Sequence, residues 1–245
     1  MSLHTTRRFD KELDQLRSDV LVMGGFVERA IRHSIKAVLN QDEVLAGKTI
    51  RRDRIINAME IQCDTMSRNI LARRQPAAGD LRFIVTAIKV VTDLEQVGDH
   101  AASIAHDVDA KNHPPRDSLG FESMGRNAQK QINRALDAFS REDTSLAISV
   151  LKEHEGINRL YESMYRKILD SMIKDQHFIA DSIILSNIVS HLDSISCHAR
   201  NIAQMVIYMV SGRDVRHVNH EAAAMILAEK KAESESPVLL SVSSG

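Results

Sequence analysis

The sequence predicts an all-α fold built as two tandem, similar three-helix bundles with long antiparallel helices, and three observations predict it. Gly 10 and Pro 4 in 245 residues are about half the usual share of roughly 12%, too few for the many turns of an all-β domain. Aromatics are 4% with no Trp, so a core must come from Ala, Leu, Ile, Val and Met, the side chains of packed helices. The chain also repeats itself. At an offset of 101, Met23-Gly24 meets Met124-Gly125, Ile31 meets Ile132, Asp42 meets Asp143 and Ile56-Asn57 meets Ile157-Asn158. At an offset of 98, Leu94-Glu95 meets Leu192-Asp193 and His100-Ala101 meets His198-Ala199. A fixed period over this span means two copies of one structural unit.

Periodicity and punctuation place the helices at 9–39, 42–74 and 80–109 in the first copy, and at 117–139, 143–173 and 181–211 in the second. Asp42 and Asp143 follow short polar breaks and read as N-caps. The run Gln75-Pro76-Ala77-Ala78-Gly79-Asp80 supplies a breaker, a flexible residue and a further N-cap at Asp80. The paired prolines Pro114-Pro115 set the boundary between copies. The expected units are therefore 1–113, 114–217 and a tail, 218–245, with a short helix over 221–231 and disorder from Glu233-Ser234-Glu235 onward. Connections this short force neighbouring helices to run antiparallel.

A net charge of −1 argues against a globally basic nucleic-acid binder. Residues 1–8 carry no apolar stretch of the kind a secretory signal needs, and the apolar run 83–91 is short and interrupted by Lys89. No segment is expected to reach the ~20 apolar residues of a membrane span, and a cytoplasmic location is expected. Cys63 and Cys197 form neither a zinc spacing nor a disulfide framework. His154-Glu155-Gly156-Ile157-Asn158 misses the zinc-protease pattern at its last position. Glu-x-x-His, G-x-G-x-x-G, a Walker loop and G-x-S-x-G are all absent from the sequence. The pattern offers no catalytic constellation.

Two acidic lines stand out. Asp53, Asn57, Glu60 and Asp64 share one face of the second helix, at spacings of four, three and four. Glu95 and Asp99 share a face of the third. Carboxylates on adjacent helices are hard ligands for a divalent cation. The alternative is that they pair with Arg51, Arg52, Arg54 or Arg82, or face water. In the second copy Asp193 keeps its charge, but Cys197 stands where Asp99 would be and His154 where Asp53 would be.

Four stretches then resemble one family. Gln75-Pro76-Ala77-Ala78-Gly79-Asp80-Leu81-Arg82, Asp93-Leu94-Glu95-Gln96-Val97-Gly98-Asp99-His100-Ala101, Met23-Gly24-Gly25-Phe26-Val27-Glu28 and Gly212-Arg213-Asp214-Val215-Arg216-His217 are similar, in order and spacing, to the PhoU family over about residues 9 to 220. The resemblance implies a fold of two similar three-helix bundles. It implies a regulator that contacts the ATPase subunit of a phosphate transporter and a sensor histidine kinase, keeps phosphate-starvation signalling off, and reaches the membrane only through those partners. It also implies a homodimer and, in some members, iron or zinc held by the Glu/Asp-x-x-x-Asp helices; magnesium is a further candidate. Carried over residue by residue, the ligands are Glu95, Asp99 and Asp53, with Asp193 in the second copy. Cys197, His154 and Ser194-Ile195-Ser196 depart from the family pattern. A second reading is a metal-binding or storage protein whose phosphate role is secondary or lost.

Overall fold

The computed structural model describes residues 3–108 and 120–235. Seven α-helices fill these residues: α1 Leu3–Asn40, α2 Glu43–Arg73, α3 Ala78–His106, α4 Phe121–Arg141, α5 Thr144–Lys174, α6 Ile179–Ser211 and α7 His220–Glu235. No strand occurs among the described residues. The expected boundary at Pro114-Pro115, the proposed helix start at Asp117 and the tail beyond Glu235 lie outside them.

The repeated turns are built alike. Asp42 caps α2 by accepting from the Leu45 N–H at 2.8 Å, and Asp143 caps α5 by accepting from the Leu146 N–H at 2.9 Å. One residue earlier, Gln41 and Glu142 both adopt φ 54°. Other limits need correction. α3 begins at Ala78, and its N-cap, Ala77, makes no side-chain hydrogen bond. Pro76 ends the preceding extended stretch, so the helix starts earlier and Asp80 falls in its first turn, where a carboxylate still favours the helix dipole. α6 starts at Ile179 behind a 3₁₀ turn, Gln176–Phe178. α7 continues to Glu235, through residues expected to be disordered.

α1, α2 and α3 pack together, as do α4, α5 and α6. The two bundles also pack on each other, α3 on α6 and α1 on α4, and share one continuous core. α3 and α6 run antiparallel across this seam. Arg82 Nε donates to the Met209 carbonyl at 3.0 Å near one end, and His100 meets His191 at 3.1 Å further along. The α1–α4 crossing explains the repeated Met-Gly pair: a Cβ on Gly24 would strike Leu136, and one on Gly125 would strike Ile35. These two contacts are related by the same offset of 101.

With the turn before it, α6 forms a segment, Gln176–Ser211, long and apolar enough by length and composition to cross a membrane. The expectation that no segment reaches that measure is corrected. α6 packs against α3, α4 and α5, which accounts for the apolar residues on its covered faces, while Ile179 and Ile183 near its start remain exposed.

Candidate functional site

Gly98 lets α2 lie close against α3. A Cβ there would sit 2.9 Å from Ile56 Cδ1 and 3.1 Å from Asp53 Oδ1. The close approach brings the α2 acidic line beside Glu95 and Asp99. Asn57 Nδ2 donates to Asp53 Oδ2 at 3.2 Å, while Asp53 Oδ1, Asn57 Oδ1 and Asp64 Oδ1 are buried and accept nothing.

Electrostatics tie the group together. Burial, then the Asp99 charge, raises the Asp53 carboxyl above the usual range, against the Asn57 hydrogen bond. Burial raises Glu60, followed by Asp64 and Asp99. Burial also raises Glu95, followed by Asp99, Glu60 and Asp53, with only His198 opposing. No arginine or lysine contributes to any of these shifts. Arg82 is occupied with Met209, and Arg52 lies on the α1 side of α2, beside His33. The first half thus holds five clustered carboxylates without an internal cation.

The donor chemistry, all oxygen and partly desolvated, fits a hard divalent ion. The side chains stand apart, however: among the described residues no three His, Cys, Asp or Glu groups are gathered closely enough to hold a metal.

The equivalent place in the second half is neutralised. Asp193 replaces Glu95, and Tyr161 and Tyr165 replace Glu60 and Asp64. Arg200 stands where the first half has Ala102. Burial raises Asp193 and Cys197, and Arg200 opposes the shift in both. Burial, then Asp193, raises Tyr161. His154 is 3% exposed. Its Nδ1–H donates to Ser196 Oγ at 2.9 Å, Ser196 donates onward to Gln131, and its Nε2 lies 3.5 Å from Arg200 Nη1. Burial, then Arg200, lowers the His154 pKa to about 4, so the ring is neutral at pH 7.

Asp53, Glu95 and Asp99 are therefore brought within electrostatic reach of one another, short of a closed ligand set, and Asp193 is set apart beside a built-in cation. Sequence reasoning missed Arg200, although it lies two residues past His198 in the repeat alignment, opposite Ala102. It also missed a cluster on the α3–α6 seam. His198 Nδ1 lies 2.8 Å from Asp93 Oδ1, which also accepts from Asn201 at 3.3 Å. His100 and His191 meet Nδ1 to Nδ1 at 3.1 Å. At the offset of 98, Asp93 corresponds to His191 and His100 to His198, so the two pairs occupy one repeated position. Burial, then His198 and His191, lowers the His100 pKa to about 4.

Comparison with known proteins places the doubled fold. The family model described as PhoU domain matches residues 20–108 and 121–206. The chain is 38% identical over 218 residues to the phosphate-specific transport system accessory protein PhoU homolog of Pseudomonas aeruginosa, covering 88% of this chain and 90% of that protein. It is 31% identical over 236 residues to the accessory protein PhoU of Escherichia coli K12, covering 95% and 98%. A crystal structure of PhoU from P. aeruginosa superposes with a TM-score of 0.81 at 38% identity, over 84% of this chain and 100% of that one. The phosphate transport system regulatory protein PhoU from Streptococcus pneumoniae gives 0.78 at 28% identity, over 84% and 99%.

Proposed function

The chain belongs to the PhoU family, and from that premise we propose that it is a non-catalytic regulator of phosphate uptake and phosphate-starvation signalling. In this reading it acts in the cytoplasm as an adaptor between the ATPase subunit of a phosphate transporter and a sensor histidine kinase, and holds the starvation response off when phosphate is plentiful. One observation carries it. The likeness to accessory proteins of the phosphate transport system runs through both halves, over 88% to 95% of this chain, and so includes the whole doubled fold.

Within that role Asp53, Glu95 and Asp99 would hold a divalent cation: iron, zinc or magnesium. The ion would supply positive charge between α2 and α3, where the protein supplies none. Asp53 contributes a buried oxygen with no donor of its own, Gly98 lets the two helices approach closely, and the carboxylates would have to draw in around the ion. These uncompensated carboxylates also support the second reading, a metal-binding protein whose phosphate role is reduced.

We place self-association at the corner where α5 gives way to α6. Ile173 (83% exposed), Phe178, Ile179 and Ile183 all face outward there, an apolar cluster of the kind that marks interaction sites. Light scattering at tens of micromolar, where dimers of micromolar affinity form, is expected to report a homodimer, and a monomer would count against it.

The function is tested by affinity capture of the tagged chain from cells grown with and without phosphate. Recovery of a phosphate transporter ATPase and a histidine kinase, with phosphate-dependent yield, is the expected result. Capture of neither partner would remove the adaptor reading, and metal bound at full occupancy in that case would favour the second.

A further inference from the structure

α2 meets α3 on its acidic side and α1 on the other. Between α1 and α2 lies a cavity of about 380 Å³. Phe26, Ile55 and Ile56 form its apolar walls, and Arg29, His33 and Arg52 supply its polar groups; no carboxylate lines it. Arg29 is positioned in advance, its guanidinium carbon 4.5 Å from the Phe26 ring centroid. Burial lowers the His33 pKa, as do Arg32, Arg52, Arg29 and Lys36 in turn. Four cations thus converge on one imidazole. Glu28 feels Arg32 and Arg29, but its carboxylate turns to α4, where it accepts from the Asn133 side-chain amide at 2.9 Å.

The second half supplies a comparison within the same chain. At the offset of 101, His33 corresponds to Arg134 and Arg52 to Glu153. These two form an ion pair at 3.5 Å, and Arg134 also donates to Ser149 at 2.7 Å. Phe26 and Ile55 correspond to Asn127 and Gly156, and only Ile56 keeps its counterpart, Ile157, so two of the three apolar walls are missing as well. Where the second half carries its own anion, the first presents arginines beside an apolar cavity.

We propose that the α1–α2 cavity is a binding site for a small organic phosphate, its phosphate group held by Arg29 and Arg52 and its apolar body lying against Ile55, Ile56 and the edge of Phe26. Guanidinium forks match phosphate oxygens two at a time. The volume falls in the range that holds small organic ligands. The inference rests on neither the metal site nor the transporter partners.

Isothermal titration of the full chain tests it, with AMP, glucose 6-phosphate and phosphoenolpyruvate as organic phosphates, and inorganic phosphate and adenosine as controls. At least one organic phosphate is expected to bind at least tenfold more tightly than either control. Arg29→Ala and Arg52→Ala are each expected to weaken that binding at least tenfold. Arg54→Ala, an exposed α2 arginine outside the cavity, is expected to leave it within twofold. Circular dichroism of each variant confirms that the helices persist. The proposal is overturned if none of the three organic phosphates binds. It is likewise overturned if inorganic phosphate or adenosine binds equally well, or if folded Arg52→Glu binds as the parent does.

Discussion

His154 takes the place of Asp53 in the repeat, yet the two side chains meet opposite demands. Asp53 faces other acids and has an oxygen without a donor, whereas His154 is enclosed, hydrogen-bonded to Ser196 and beside Arg200. Its pKa in the fold, about 4, lies below its ordinary value of 6.5. Between those values the unfolded chain binds more protons, so stability is lost as pH falls from about 6.5 towards 4. The loss from this ring alone is at most about 3 kcal/mol. Thermal melts at pH 7 and pH 5 should therefore show a smaller drop for His154→Gln than for the parent; an equal drop would contradict the assignment. The thiols give a second check. Burial, then Asp19 and Asp64, pushes Cys63 up to about 11, while Arg200 restrains the rise at the more accessible Cys197. At pH 8 a thiol reagent should modify Cys197 at least tenfold faster than Cys63, and Arg200→Met should slow the Cys197 reaction. Unchanged labelling in that variant would deny Arg200 its role as internal cation. Asp53, Glu95 and Asp99 were legible because helical spacing alone puts like charges on adjoining faces. Arg200 was not, because a single arginine on a long helix reads as a solubilising charge until its neighbours are known.

At the level of helices, the two capped turns were readable because a cap is a local event: Asp42 and Asp143 need only the amide three residues on. Asp80 was misassigned for the converse reason. A helix behind Pro76 can begin at any of several residues, and α3 begins at Ala78 without a side-chain cap. The α1–α4 crossing depends on contact between distant residues, so the repeated glycines could be seen in the sequence but their use could not. Gly125→Val should force Ile35 out of place and destabilise the fold by roughly 1–3 kcal/mol. That corresponds to a fall in Tm of several degrees for a chain of this length, measurable by circular dichroism. A variant that melts with the parent would mean that α1 and α4 do not approach as described.

Across the molecule, the doubling of the fold followed from the repeat, but the shared core did not. The contacts of α3 with α6 join the copies, and the residues that make them carry no local signature. What the whole fold adds is an asymmetry between its halves. In the second half Arg200 lies beside Asp193 and Arg134 pairs with Glu153, so buried charge is balanced from within. In the first half a carboxylate cluster lies on one side of α2, with no arginine or lysine acting on Glu95, and a cavity lined by arginines and by no carboxylate lies on the other. Like charges a few ångströms apart repel by a few kcal/mol per pair at an effective dielectric near 20, and a bound cation relieves that cost. On the proposed reading, the first half is the half that would take ligands. Metal analysis of the purified parent, Asp99→Ala and Cys197→Ala after equilibration with iron, zinc or magnesium tests this most directly. The asymmetry predicts a large loss of bound divalent ion from Asp99→Ala and little from Cys197→Ala, whereas an equal or larger loss from Cys197→Ala, or no loss from either, would contradict it.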